Sequence, residues 1–159
     1  MQAGISTLGI TFGYGVETTA GVKPTSFTQL SRINAIGGIT IENEQIDVSA
    51  LEDFVSRYVQ GRADTGGSFA VTVNFTLETK EEWAEVISAY TALGSGLRMW
   101  FETIIPGFDE SFFVVAQPPT AMPQPEIGQN ELLTVEMTLT IEEYLGMDTT
   151  IAFTTTEEP

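Results

Sequence analysis

The chain contains no cysteine and no histidine among its 159 residues. Without cysteine there is no disulfide framework, no thiolate nucleophile and no cysteine-ligated zinc. Without histidine the commonest general base and the commonest imidazole ligand are gone, and with them most hydrolase triads and transition-metal sites. Basic residues are scarce as well. Six Lys and Arg face 22 Asp and Glu, giving a net charge of −16 and an isoelectric point near 4.1. That balance excludes a grip on nucleic acid through phosphate neutralisation, and it repels anionic membrane. No window approaches the ~18 continuous apolar residues of a spanning helix. The opening "MQAGISTLGITFGYG" has neither a basic n-region nor a continuous apolar h-region, so no signal peptide is expected.

What is present is a core. Hydrophobic residues make up 42% of the chain, so the acidity does not signal disorder. The length suits one domain. Residues 1–30 are rich in Gly, Thr and Ser, with short β-like pieces such as "GITFGYG", and read as an extended N-terminal arm. The body spans 31–153. In it, Ile39 and Ile41 begin an alternation over 37–47, and "FAVTVNFTLE" places Phe69, Val71, Val73, Phe75 and Leu77 on one face. "LLTVEMTLTIEEYLGM" (132–147) alternates as cleanly, with Val135, Met137, Leu139 and Ile141 inward and Glu136, Thr138, Thr140 and Glu142 outward. Residues 97–106 and 111–117 read as further strands. The proline-rich stretch from Pro118 is a loop. Between strands, Trp83, Val86, Ile87, Tyr90 and Leu93 recur at helical spacing. The spacing predicts a helix over 79–93, with Thr79 and Glu82 as capping box and Gly94 as its left-handed stop. One short strand and a polar tail (154–159) close the chain. The fold class expected is mainly β: a β-sandwich or partly open barrel with one amphipathic α-helix packed on it.

Catalytic and metal-binding signatures are weak. Adjacent acids such as Glu142 and Glu143 point to opposite faces of a strand, so they cannot flank one bond. Glu136 and Glu78 could meet across two strands, but pairs of this kind arise by chance in so acidic a chain. The spaced acidic loop of a calcium site is absent. Gly9, Gly13 and Gly15 lack the lysine and following helix of a phosphate cradle. The expectation is no enzyme, no cofactor and no metal.

The segment "DVSALEDFVSRYVQGRADTGG" (47–67) stands apart. It mixes charges with Leu51, Phe54, Val55 and Tyr58 between two β-type stretches. It could tuck these side chains onto its own domain or dock them on a neighbouring subunit. A connection of this length between strands is uncommon unless it has a task. Arg57 and Arg62 hold two of the six positive charges and invite pairing with carboxylates on a neighbour. The second reading is preferred.

A strand entering Ile46-Asp47-Val48-Ser49-Ala50-Leu51-Glu52-Asp53, then the turn Gly61-Arg62-Ala63-Asp64, then a core strand and a helix, resembles the major tail tube proteins of long-tailed, siphovirus-like bacteriophages and prophages. The resemblance covers about residues 25–145. It implies a structural virion protein that assembles in the host cytoplasm as stacked hexameric rings, forming the tail tube. Its partners would be copies of itself, the tape measure, the tail terminator and the baseplate or tip. DNA would pass through the bore without specific binding, and no membrane is involved. The implied subunit contacts are Asp47, Leu51, Phe54, Arg57, Tyr58, Arg62 and Asp64. Candidates for an acidic channel wall are Glu42, Glu78, Glu136 and Glu142, set among threonines, a surface that passes DNA without holding it. The rival readings are a ligand- or carbohydrate-binding sandwich using Trp100, Phe112 and Phe113, and a small β-barrel enzyme with convergent carboxylates.

Overall fold

The computed structural model describes residues 8–154. In chain order its elements are β1 (Thr11–Val16), β2 (Phe27–Leu30), β3 (Ile33–Ile36), β4 (Glu42–Asp47), β5 (Tyr58–Asp64), β6 (Ser68–Asn74), α1 (Leu77–Thr91), β7 (Met99–Ile104), β8 (Glu110–Gln117), β9 (Thr134–Thr149) and β10 (Phe153–Thr154). Eight strands form one sheet in the order β10-β2-β1-β7-β8-β9-β6-β3, and β4 pairs with β5 as a separate hairpin. Only the β10–β2 pairing is parallel among the described residues. The large sheet has two ends, so it does not close into a barrel.

β9 explains how one sheet makes a sandwich-like body. Its first half, Thr134 to Thr140, pairs with β6, and its second half, from Thr140 to Thr149, pairs with β8. The register slips twice on the second half, leaving Glu142 and Leu145 as extra residues. Each bulge sharpens the twist and bends the strand. A strand shared in this way carries the chain from the β6–β3 layer to the β8–β7–β1–β2 layer.

The main core fills the concavity between these layers. Phe69, Val71 and Val73 of β6, Val135, Met137 and Leu139 of β9, Met99 and Phe101 of β7 and Phe12 of β1 meet Trp83 and Val86 of α1 there. Phe12 and Phe101 stack with ring centroids 5.6 Å apart. A second, smaller core lies on the opposite face, where Phe27, Trp100, Phe113 and Val115 are covered by Ile151 and Phe153. Gly13 is required here. A Cβ on it would strike the Phe153 ring and the Thr28 carbonyl.

Several expectations shift. The stretch 1–30 is not a free arm over its described part: β1 lies inside the sheet between β2 and β7. The alternation at 37–47 yields a strand only from Glu42, and every residue of it is exposed. The segment 47–67 is largely the tip and second strand of the β4–β5 hairpin, not an irregular loop. The helix begins two residues early. Thr76 is its N-cap, and it forms a capping box with Thr79. Glu82 is therefore free to accept bonds from the Ser31 amide (2.9 Å) and hydroxyl (2.7 Å), tying the helix to the β2–β3 turn. The helix stops at Ala92 in right-handed geometry, and the left-handed glycine is Gly96, not Gly94. Phe75 and Leu77 leave the strand; Leu77 is exposed at the helix start. The polar tail lies outside the described residues beyond Thr154.

Candidate assembly surfaces

The hairpin projects from the body. All residues of β4 are exposed, as are those of β5 except Gly61. At its tip Leu51 and Phe54 are wholly exposed, and Val55 and Tyr58 mostly so. The tip is nonetheless braced. Asp47 Oδ1 accepts from the Ser49 amide at 2.9 Å, and Ser49 Oγ accepts from the Arg57 amide at 2.7 Å. Hydrogen bonding from Ser49, its hydroxyl first and its amide second, holds the Asp47 carboxyl below the ordinary aspartate range. Asp53 accepts from the Ala50 amide at 2.8 Å and pairs with Arg57 Nε at 3.2 Å. Arg57 is thus already engaged within its own hairpin. Arg62 sits where the register slips, in the bulged part of β5 beside Gly61. Asp64 faces Glu42 across the strands, and its Oδ1 accepts from the Gly66 amide at 2.9 Å. The seven expected contact residues therefore share one projecting element. Its apolar side chains are held out to solvent by polar bonds made among their neighbours.

The four expected wall carboxylates do not share one surface. Glu42 opens the hairpin, Glu78 lies in the first turn of α1, and Glu136 and Glu142 belong to β9. Glu78 cannot meet Glu136 across a strand pair, because Thr72 holds the place opposite Glu136. Glu142 is a bulge residue and accepts from Gln117 Nε2 at 2.6 Å. The polar strip that does exist is the outer face of β6 and β9: Thr72, Asn74 and Thr134 beside the exposed Glu136, Thr138 and Thr140.

Two buried acids were not singled out from the sequence. Glu17 is buried beside Arg98. Its Oε2 accepts from Trp100 Nε1 (2.7 Å) and Arg98 Nε (3.2 Å), and its Oε1 from the amides of Arg98 (3.0 Å) and Gly21 (3.3 Å). Burial pushes this carboxyl up, but the bonds from Trp100, Gly21 and Arg98 together pull it below the usual glutamate range. Arg98 also reaches Glu143 at 2.8 Å. Glu102 is buried in the second core, where its Oε2 accepts from the Ile151 amide at 3.0 Å and its Oε1 has no partner. Burial raises its carboxyl above the ordinary range, against the lowering effects of Ile151, Ser111 and Lys23. The readable signal was a lone acid inside the apolar run Trp100–Ile104.

The aromatic residues of the carbohydrate-binding reading are core-forming: Trp100 and Phe113 are buried together, and Phe112 is half-buried. Phe112 lines an apolar cleft of about 590 Å³ bordered by Ile33, Ile36, Ile39, Phe69 and Tyr144. Elements far apart in sequence build this cleft, so no linear motif announced it. Among the described residues no group of three or more acids could hold a metal ion, and no helix is long and apolar enough to cross a membrane.

Chains of similar fold occur in two solved assemblies. A chain of the tail of an empty GTA particle, solved with C6 symmetry, superposes with a TM-score of 0.55 at 16% identity, covering 89% of this chain and 95% of that one. A chain of the six-fold symmetrised baseplate of the anti-feeding prophage (AFP) superposes with a TM-score of 0.52 at 12% identity, covering 93% and 96%. The chain has the fold of these tail-particle proteins. At such identities the likeness is one of fold, and it spans nearly the whole of each chain. No protein-family model matches the sequence, and no curated protein matches it.

Proposed function

We propose that the chain is a structural tail protein, not an enzyme, which polymerises as stacked hexameric rings into the tube of a phage-like tail. The observation that carries this is the hairpin tip. Leu51 and Phe54 stand wholly in solvent on a braced element. Apolar side chains held rigidly outward mark a contact surface, because exposing them without a partner loses the hydrophobic gain of ~1.5–3 kcal/mol per large side chain. The shared fold with chains of two six-fold assemblies supports a symmetric polymer. Asp47, Leu51, Phe54, Arg57, Tyr58, Arg62 and Asp64 make the subunit contacts, with Arg57 bracing the tip through Asp53. The threonine and glutamate strip of β6 and β9, centred on Glu136, suits a bore that DNA crosses without sticking, since salt confines its repulsion to about 8 Å. Glu42, Glu78 and Glu142 lie on other surfaces and are weaker wall candidates. Other tail proteins would begin and end the tube.

Negative-stain electron microscopy of concentrated protein tests this. Wild type is expected to form rings or tubes. The double variant Phe54→Asp with Tyr58→Asp is expected to keep its circular dichroism spectrum and remain monomeric. Normal tubes from that variant would remove the hairpin from assembly, and a wild type that stays monomeric at high concentration would overturn the whole reading.

A further inference from the structure

We infer that the hairpin tip of one copy docks in the apolar cleft of a second copy, with Glu52 of the tip set against Arg32 at the cleft rim. This rests on the self-assembly reading and names the receiving surface, which nothing above assigns.

The geometry excludes docking within one copy. Both roots of the hairpin border the cleft: Gly38 and Ile39 lead into β4, and Phe69 follows β5 by way of Gly66 and Gly67. The six residues of β4 carry the chain away from that border by about 20 Å at ~3.3 Å per residue. The tip therefore stands one hairpin length from the cleft at its own base. A contact between tip and cleft joins different surfaces of two copies. Repeated contacts of this kind give a ring when the rotation closes and a filament when it does not.

The chemistry of the two surfaces matches. The cleft is lined by isoleucines and aromatics with no charged residue, in a chain of net charge −16. It is one place where an acidic copy can approach without meeting like charge. Its volume of about 590 Å³ accommodates the Phe54 and Leu51 side chains. Arg32 is exposed directly before Ile33, at the rim, in left-handed backbone with φ of 56°. Neither Arg32 nor the exposed Glu52 has an ion-pair partner among the described residues. In the tip, Asp53 is held by Arg57, which leaves Glu52 as the outward acid. An exposed pair adds orientation and register more than affinity. The burial of Leu51 and Phe54 supplies the main attraction.

The absence of cysteine from the natural chain makes the test clean. Leu51→Cys and Ala35→Cys are made separately, mixed, and oxidised under mild conditions; Ala35 lines the cleft and is exposed. A disulfide requires the two Cα atoms to come within ~7 Å. Docking predicts that the mixture yields about tenfold more cross-linked pair than Leu51→Cys mixed with Lys80→Cys, since bound partners see one another at far higher effective concentration. In parallel, Arg32→Glu is expected to slow polymerisation and Arg32→Glu with Glu52→Arg to restore it. Tubes that form without enrichment of the Leu51–Ala35 cross-link overturn this docking while leaving self-assembly standing. Absence of both tubes and cross-link overturns both. A charge-reversed pair that fails to recover, although the cross-link forms, removes the Arg32–Glu52 contact.

Discussion

Glu17 shows what a single residue contributes. It is a carboxylate taken out of water and matched with four donors, so its cost of burial is offset only while every donor remains in place. Glu17→Gln breaks the pair with Arg98 and is expected to lower unfolding free energy by about 3 kcal/mol at pH 7. The pH dependence has a definite sign. The Glu17 carboxyl is depressed in the fold, so its stabilisation is complete above the unfolded glutamate's pKa, declines below it and vanishes once pH has fallen through the depressed folded value. Urea unfolding of wild type and Glu17→Gln should therefore converge as pH is taken from 7 toward 3. A gap that stays constant over that range would dismiss the linkage. Glu102 has the opposite sign. Its raised carboxyl favours the protonated form in the fold, so ionising it as pH climbs past the ordinary glutamate range costs stability.

At the scale of elements, α1 is held at its start by Thr76, whose hydroxyl accepts from the Thr79 amide at 3.2 Å while Thr79 Oγ1 accepts from the Thr76 amide at 2.8 Å. Thr76→Ala is expected to cost about 1 kcal/mol, read as a fall in the denaturant midpoint with unchanged slope. An unaltered midpoint would mean that the cap is dispensable. The helix was legible because Trp83 and Val86 repeat at helical spacing and stay buried. Its start was misplaced because two threonines three residues apart both fit a cap, and the choice between them depends on where β6 ends. β6 and β9 were legible for a related reason: one face of each meets the core, so period two survives in Val71, Val73, Val135 and Met137. The place of β1 inside the sheet was hidden. Gly13 and Gly15 stand where an alternating pattern would show side chains, because the rings of Phe153 and Phe27 occupy that space. β4 was anticipated within the alternation at 37–47, but β5 was hidden, for it buries no face, and a strand without a buried face leaves no hydrophobic period to read. The tip residues were singled out for the length of their connection, their mixed composition and the family resemblance, and the cleft that we assign as their receiver depends on tertiary closure.

On the scale of the whole molecule, charge governs the association proposed above. Copies of net charge −16 repel one another, and raising ionic strength shortens the screening length from about 8 Å at 0.15 M to about 3 Å at 1 M. Light scattering should show faster polymerisation as salt rises, since burial of Leu51 and Phe54 is insensitive to screening while the repulsion is not. Slower assembly in salt would make attraction between charges, rather than apolar contact, the dominant force. The position of β9 has a consequence in time. Hairpin pairing is local and needs no residue made after 64, whereas the cleft needs Tyr144 of a strand that joins both layers near the end of the described chain. In the docking we infer, each polypeptide growing from its N-terminus holds the residues of its finger long before those of its socket, so unfinished copies would reach for others without being able to receive them.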